Sequence, residues 1–249
     1  VNPIVAGNGL KKLIDAGIEV IGPVLEDKCK RLNEIFIANK TQNRTFVAIK
    51  TATTIDGKIA TFSNNSKWIT SNYARNEVRN IRKKYDAILT SSSTIIADNP
   101  TMAHKCKVIL DRELKTDLSG EIYKQGKIYV FHDKNTLAPC GRGKGEGEVE
   151  FIPTPCTNKK LDIEHILKKL YELGIMSVLV ESGGALNESF LPYADKLYHF
   201  IAPKILGDNN GKSCFYGKAV QNISDCTNLE FESFASFPPD ILLTYNKKV

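Results

Sequence analysis

The sequence predicts an α/β fold with a mostly parallel central sheet. Short apolar runs such as DAILTS, KVILD, KIYVFH and MSVLVES alternate with amphipathic stretches such as NYARNEVRNIRKK and DIEHILKKLYELG. Runs of the first kind are typical of buried strands and stretches of the second kind of helices, and their alternation favours a sheet flanked by helices. Near the end, LEFESFASF and DILLTYN follow each other directly, which predicts an antiparallel pair of strands at the edge of the sheet.

The first forty residues predict a small separate α/β unit. GLKKLIDAGIEVIGPVL predicts a helix up to Gly17 and then a strand, and EDKCKRLNEIFIANK predicts a second helix. The polar stretch NKTQNRT predicts a linker at residues 39–45. Because the chain begins with Val1 rather than methionine, we expect it to be a piece of a longer protein.

Further along the chain, local signals mark the ends of the elements. Asp56-Gly57 predicts a turn after the strand FVAIKTATT, and Ser71 predicts the cap of a helix that runs to about residue 84. Gly174 is expected to end the helix DIEHILKKLYELG. The tail strands complete the predicted sheet.

Composition narrows the possible functions. The 249 residues carry a formal net charge of +6 and 42% hydrophobic residues, as expected for a globular domain that binds an anionic small molecule. No basic stripe with interleaved aromatic residues is present, so we expect no nucleic-acid partner, and no apolar run indicates a membrane span. The six cysteines show no CxxC spacing, which favours reduced thiols in a cytoplasmic protein.

Two glycine-rich segments are candidate phosphate-binding loops. In CGRGKGEGEVE (residues 140–150) a strand follows the glycines instead of a helix, so a hairpin connection is the better interpretation. In LVESGGALNESFL (residues 179–191) a strand, the pair Gly183-Gly184 and a helix follow in the order that a phosphate site requires. This pattern alone is weak, and a plain turn is the more common explanation of it.

Two polar loops follow predicted strands. TIDGKIATFSNNSKWITS carries Trp68 and Thr70, and the indole is either a core or boundary aromatic residue or part of a ligand pocket. LTSSSTIIADNPTM sets hydroxyl groups at the carboxyl end of a strand, where ligands collect in open α/β sheets, although surface turns are also rich in serine.

These stretches together resemble a known enzyme family. KTATTIDGKIA, SKWIT, IRKKYDAILTSSSTIIADNP, LVESGGALNESFL and FIAPKILG occur in the order found in the reductase domain of the bifunctional riboflavin-biosynthesis deaminase/reductase family. The opening NPIVAGNGLKKLIDAGIEV is similar to the end of its deaminase domain. The resemblance implies a dihydrofolate reductase-like fold at residues 45–249 and a remnant of the deaminase domain at residues 1–40. It also implies a homo-oligomer and NADPH-dependent reduction of the ribosyl group of 5-amino-6-(5-phosphoribosylamino)uracil to the ribityl form.

The resemblance assigns roles to individual residues. The positions that meet NADPH correspond to Ala52 (through its backbone), Trp68, Thr70, Thr94, Asp98 and Arg112, and the pyrophosphate turn corresponds to Gly183, Gly184, Ala185 and Leu186. The positions that meet the substrate correspond to Ser66, Arg82, Met102 and Glu181. Lys50 corresponds to a strand position that faces the ribose, and with Glu181 it is the candidate catalytic pair.

The sequence departs from the family pattern in two places. Where the family commonly has an arginine for the substrate phosphate, this chain offers Lys105, which keeps the charge but lacks the bidentate fork. The His-x-Glu and Pro-Cys-x-x-Cys motifs that hold zinc in the deaminase half do not occur here, so we expect this chain to bind no metal. A related pterin or pyrimidine reductase and a non-catalytic partner domain are the alternative interpretations.

Overall fold

The computed structural model describes residues 7–137, 147–217 and 220–247, and within them a large sheet is flanked by helices. The strands are β1 (Phe46–Thr54), β2 (Lys58–Ala60), β3 (Ala87–Ser91), β4 (Cys106–Leu110), β5 (Lys127–Asp133), β6 (Glu148–Thr154), β7 (Cys156–Thr157), β8 (Lys160–Leu161), β9 (Ser177–Val180), β10 (Lys196–Ala202), β11 (Lys212–Ser213), β12 (Leu229–Phe237) and β13 (Asp240–Lys247). The helices are α1 (Asn8–Asp15), α2 (Glu26–Leu32), α3 (Glu34–Gln42), α4 (Asn72–Arg82), α5 (Ser92–Asp98), α6 (Ile163–Glu172) and α7 (Gly184–Phe190).

The main sheet has nine strands in the order β12-β13-β10-β1-β9-β3-β4-β5-β6. All neighbours from β10 to β6 pair in parallel, whereas β13 pairs antiparallel with β10 and β12 antiparallel with β13. The predicted α/β class, the mostly parallel sheet and the antiparallel pair at its edge are therefore confirmed. β1 and β9 lie side by side in the middle of this sheet, and most of their side chains are buried.

Successive side chains of β1 point to opposite faces of the sheet, as strand geometry requires. Val47 and Ile49 pack against α6 and α7 through a core that includes Ile166 and Phe190. Phe46 and Ala48 lie on the other face, in a core that includes residues of α4. Lys50 and Ala52 continue this second series, so the strand directs Lys50 to the α4 face.

The predicted ends of the elements agree with the structure. The hydroxyl of Ser71 accepts a hydrogen bond from the N–H of Ala74 at 3.3 Å and caps α4. Gly57, after Asp56, and Gly174, after α6, both have positive φ values, of 74° and 79°, which glycine adopts without strain. The Asp-Gly turn and both helix ends are confirmed.

The N-terminal stretch differs from the prediction. No strand follows α1, because residues 18–25 form no sheet pairing, and the predicted second helix is broken at Asn33 into α2 and α3. The predicted linker is also wrong in its first part, since α3 continues to Gln42. Asn39 is only 2% exposed and donates hydrogen bonds to the carbonyls of Arg44 and Met176, both at 2.9 Å. In the sequence Asn39 looks like a linker residue because it is polar, and the carbonyls that its amide binds are visible only in the structure.

The hairpin predicted at residues 140–150 is also wrong. β5 and β6 pair in parallel, whereas two strands joined by a hairpin pair antiparallel. Most of the glycines of this segment lie at residues 138–146, outside the described residues. The sequence shows only that two strands follow each other, and their relative direction depends on the sheet.

Two further findings concern the whole described chain. Within it, no helix is both long and apolar enough to cross a bilayer. Five of the cysteines, Cys29, Cys106, Cys156, Cys214 and Cys226, carry free thiols, and Cys140 lies outside the described residues.

α3 is attached to the sheet by polar contacts, which leads to a stability prediction. We expect Asn39→Leu to lower the free energy of unfolding by about 1–3 kcal/mol, because the carbonyls of Arg44 and Met176 each lose the hydrogen bond from the buried Asn39 amide, although that of Met176 keeps the N–H of Phe46 as a donor. Urea unfolding measures the change. The control is Asn33→Ala, which removes an exposed bond to the carbonyl of Cys29 and should change the value by less than about 0.5 kcal/mol. Equal effects of the two substitutions would contradict the anchoring role of Asn39.

Candidate active site

Three charged side chains meet on the α4 face of the sheet. Ile49 and Val180 are register partners on the adjacent strands β1 and β9, so Lys50 and Glu181, one residue further on, emerge side by side. Arg82 is the last residue of α4, and its side chain reaches down to the same place. The sequence-predicted residues Lys50, Arg82 and Glu181 are thus brought together by two strands and one helix.

The contacts in this cluster are close and directional. Arg82 donates from Nε to Oε1 of Glu181 at 2.6 Å and from Nη2 to Oε2 at 3.0 Å, a bidentate pair. Nζ of Lys50 lies 3.8 Å from Oε2 of Glu181. Glu181 is 8% exposed, so the carboxylate is held almost out of water between two cations.

The surroundings shift the pKa values of both candidate catalytic residues. Burial on its own would raise the pKa of Glu181, but the positive charges of Lys50 and Arg82 and the hydrogen bonds from Arg82 keep it below its ordinary value. Burial lowers the pKa of Lys50, and the nearby charge of Arg82 adds to this effect, while Glu181 opposes it. The carboxylate is therefore ionised at neutral pH, and Lys50 loses its proton more readily than an exposed lysine does.

A network of hydroxyl groups lies directly beside this cluster. The carbonyl of Glu181 accepts a hydrogen bond from the hydroxyl of Thr90 at 2.9 Å. Ser91 contacts Ser182 at 2.7 Å and Thr94 at 3.1 Å, and Thr94 contacts Ser182 at 3.2 Å, all through their side-chain oxygens. The network connects the end of β3 with the turn after β9, so the predicted residue Thr94 lies next to Gly183.

Gly183 and Gly184 are glycines for different reasons. A Cβ on Gly184 would overlap the carbonyl oxygen of Ser213, so packing against the chain after β10 requires this residue to be glycine. A Cβ on Gly183 would meet no atom within 4 Å, and its φ of −74° is open to any residue. The space beside Gly183 is consequently open, at the start of α7, where no side chain caps the helix.

The segment that packs on Gly184, residues 206–217, connects this turn with the loop after β1. The N–H of Tyr216 donates to the carbonyl of Gly184 at 3.1 Å, and β11 within the segment pairs with β2. At its start, Leu206 and Gly207 donate N–H bonds to Asp56 at 3.0 and 2.9 Å. Hydrogen bonds from the Thr54 hydroxyl and from these two N–H groups lower the pKa of Asp56 to about 2.

Trp68 and Thr70 lie in a second place, beyond the carboxyl ends of β1 and β10. They line a surface pocket of about 300 Å³ together with Arg75, Lys204 and Asp240. Trp68 is 63% exposed, which excludes the interpretation of a core aromatic residue. Ala52 lies between this pocket and Lys50 along β1, on the same face as Lys50.

The remaining predicted residues lie further apart. Asp98, at the end of α5, and Lys105 are exposed, and Ser66 is half-buried in the loop before Trp68. Met102 is buried in the core with Ile88 and Ile109. Arg112 follows β4 and forms an ion pair with Glu113.

Several residues of the site were missed in the sequence. Thr90, Ser91 and Ser182 hold the turn, and the Ser/Thr cluster after β3 was the signal that pointed to them. Arg75 and Lys204 line the Trp68 pocket, and no motif distinguishes them from the other surface cations of the sequence.

Comparisons with known proteins agree with this geometry. A family model described as the RibD C-terminal domain matches residues 45–243. The riboflavin biosynthesis protein RibD of Actinobacillus pleuropneumoniae is 34% identical over 256 residues, which cover 98% of this chain and 68% of that protein. The protein of the same name from Aquifex aeolicus is 36% identical over 220 residues, covering 83% of this chain and 60% of the relative.

A solved structure is similar over the same length. It is the diaminohydroxyphosphoribosylaminopyrimidine deaminase/5-amino-6-(5-phosphoribosylamino)uracil reductase of Thermotoga maritima, with 32% sequence identity and a TM-score of 0.84. The match covers 99% of this chain and 69% of the Thermotoga chain. The expected reductase-domain fold is thereby confirmed.

The charge cluster predicts a pH-dependent stability. Because the folded-state pKa of Glu181 lies below the ordinary 4.5, its contribution is present above about pH 4.5 and is lost as the pH falls through the folded-state value. We expect Glu181→Gln to cost about 3 kcal/mol at neutral pH, where it leaves two cations without their anion, and less in acid. Urea unfolding from neutral to acid pH measures this.

The matched control is Glu172→Gln, which removes an exposed ion pair with Lys169 and should change stability by less than about 0.5 kcal/mol. A cost of Glu181→Gln that stays constant as the medium becomes acid would show that the carboxylate charge is not what stabilises this cluster.

Proposed function

Since the chain belongs to the RibD C-terminal domain family, we propose that it catalyses the reduction step of riboflavin biosynthesis. The substrate is 5-amino-6-(5-phosphoribosylamino)uracil, whose ribosyl group becomes a ribityl group, and NADPH is the reductant. The observation that carries this proposal is the buried cluster of Lys50, Arg82 and Glu181 next to the Ser182-Gly183 turn. Glu181, which would face the sugar of the substrate, is followed directly by the Ser182-Gly183 turn, which would bind the phosphate of the cofactor.

The proposed cofactor site begins at the turn after β9. Open space at Gly183 lets a pyrophosphate approach the backbone at the start of α7, and we assign Gly184, Ala185 and Leu186 to this turn. The N–H of Leu186 donates to the carbonyl of Gly183 at 3.1 Å, so Gly184 and Ala185 are the backbone donors in this proposal. Thr94 adds a hydroxyl group at the same turn. We assign the rest of the cofactor contact to the backbone of Ala52 and to Trp68, Thr70, Asp98 and Arg112.

The charge of the cluster suits a phosphorylated substrate. Two cations face one carboxylate, which leaves a net positive charge in a poorly hydrated place. Arg82 uses Nε and Nη2 for Glu181, so we assign Nη1 to the substrate phosphate. Lys105 is exposed and is the second phosphate ligand in this proposal, and we assign Ser66 and Met102 to the pyrimidine.

The residues of the cluster position the sugar for reduction. When bound, NADPH supplies the hydride that C1 of the opened ribosylamine receives. The ammonium of Lys50 donates a hydrogen bond to the ring oxygen as its bond to C1 breaks and the oxygen takes up a proton. The carboxylate of Glu181 lies against the positive charge that develops at C1 and the adjoining nitrogen. Both residues orient the substrate, and the hydride transfer itself passes between substrate and cofactor.

We also propose the wider setting of the chain. Residues 45–249 form the reductase domain, residues 1–40 end a deaminase domain, and the zinc-dependent deaminase step stays a proposal about a longer protein. The chain works in the cytoplasm as a homo-oligomer, supported by free thiols and by Phe231 and Phe234, which are 57% and 71% exposed on the edge strand β12. Size-exclusion chromatography with light scattering tests the oligomeric state.

The two glycines predict opposite outcomes for the same substitution. Gly183→Ala should leave the free energy of unfolding within about 0.5 kcal/mol, because its Cβ points into open space, yet weaken NADPH binding about tenfold. Gly184→Ala should cost about 1–3 kcal/mol of stability, because its Cβ overlaps Ser213. Urea unfolding and NADPH titration measure the two effects. Unchanged NADPH affinity in Gly183→Ala would contradict the pyrophosphate site.

The activity itself is tested with the purified chain. When the chain is mixed with NADPH and 5-amino-6-(5-phosphoribosylamino)uracil, we expect the absorbance of the reduced nicotinamide to fall and the ribityl product to form. Lys50→Met should lower kcat by about 100-fold, since it removes a polar group at the reacting sugar. Lys168→Met, at an exposed position of α6, is the control and should leave kcat unchanged. Absence of turnover with this substrate would contradict the proposed function.

A further inference from the structure

Trp68 is the only tryptophan of the sequence, and two cations hold it from different sides. The guanidinium carbon of Arg75 lies 4.3 Å from the centroid of the indole ring, a cation–π contact. Nζ of Lys204 donates a hydrogen bond to the backbone carbonyl of Trp68 at 2.6 Å. One cation therefore fixes the ring and the other fixes the backbone that carries it.

Both cations are themselves anchored in regular structure. Arg75 donates from Nη1 to the carbonyl of Thr70 at 2.5 Å and from Nη2 to Oδ1 of Asn72. Its helix, α4, starts at Ser71, whose N–H donates to the buried carboxylate of Asp240 at 2.7 Å.

On the opposite side of the pocket, the carbonyl of Lys204 accepts a hydrogen bond from the N–H of Ile55 at 2.8 Å. Trp68, although it belongs to a polar loop, is thus tied to α4 and to the chain segments that follow β1 and β10. A loop residue without these hydrogen bonds would not be held in one orientation.

This anchoring does not bury the indole. Trp68 is 63% exposed, so Arg75 covers part of the ring while the rest faces the pocket and solvent. A large aromatic ring held in one orientation but left open to water gains little from burial in the folded chain. An open π-face beside a pocket suits the stacking of a planar ring, such as the ring of a nucleotide.

We propose that Arg75 and Lys204 are positioning residues that hold the indole of Trp68 in the orientation in which it contacts the nicotinamide cofactor. The inference rests on the proposed function, which assigns Trp68 to that cofactor. Neither Arg75 nor Lys204 touches the cofactor in this arrangement, and both act through Trp68. Their loss frees the ring and weakens cofactor binding without removing a group from the reaction.

The single tryptophan makes the inference measurable without any cofactor, because all indole fluorescence comes from Trp68. In the full chain, Arg75→Met and Lys204→Met should each shift the emission and increase quenching by acrylamide, by about twofold for Arg75→Met, which uncovers the ring face. Arg75→Lys keeps a cation over the ring and should restore part of the wild-type signal. Arg79→Met is the matched control on α4, where Arg79 bonds to Asn76 at 2.6 Å, and should leave the emission unchanged.

The same variants are then titrated with NADPH and assayed. Arg75→Met should raise the KM for NADPH about three- to fivefold while kcat stays close to wild type, as expected when binding rather than chemistry is affected. Unchanged emission in both Arg75→Met and Lys204→Met overturns the inference. An altered emission with unchanged NADPH affinity also overturns it, while NADPH binding by the wild-type chain leaves the proposed function intact. Failure of the wild-type chain to bind NADPH overturns the proposed function and this inference together.

Discussion

The buried carboxylate of Glu181 is the constraint around which this site is organised. Removing a carboxylate from water costs several kcal/mol, and only close cations and hydrogen bonds offset this cost. Arg82 and Lys50 provide them, from the end of α4 and from the centre of β1. The packing of α4 on the sheet and the register of β1 against β9 are therefore tied to the same ion pairs. A change in either would leave a charge without a partner, so the fold and the chemistry of the site are not separable.

Adjacent glycines can serve two different purposes. Gly184 is required by the chain that packs on it, and this contact joins the turn after β9 to the loop after β1 through residues 206–217. Gly183 has no such neighbour, and the space beside it is open. The sequence does not show which glycine of the pair is required by packing. The residue that leaves no room for a Cβ on Gly184 is Ser213, which lies far along the chain. Packing therefore requires glycine at one position of the pair and leaves the other free of this requirement.

Sequence reasoning predicted what depends on local patterns. The strands, the Ser71 cap, the Asp56-Gly57 turn and the pairing of β12 with β13 follow from periodicity and from residues close in sequence. The cluster of Lys50, Arg82 and Glu181 was reached through resemblance, since no spacing connects three residues on β1, α4 and β9. The errors have one physical cause. The parallel direction of β6 and the helical continuation to Gln42 each depend on partners distant in sequence, and single-residue patterns carry no information on them.

The burial of Asn39 bears on how such an enzyme is divided into parts. The matched family region begins at residue 45, but Glu34 on α3 pairs with Lys196 of β10 at 2.8 Å, and Ile35 and Ala38 pack on the same core as α4. A fragment cut at the family boundary would lose this helix and leave Lys196 and part of the core exposed to water. The unit of sequence similarity and the unit of folding therefore begin at different residues. A helix outside the matched family region, α3, thus forms part of the same core wall as α4.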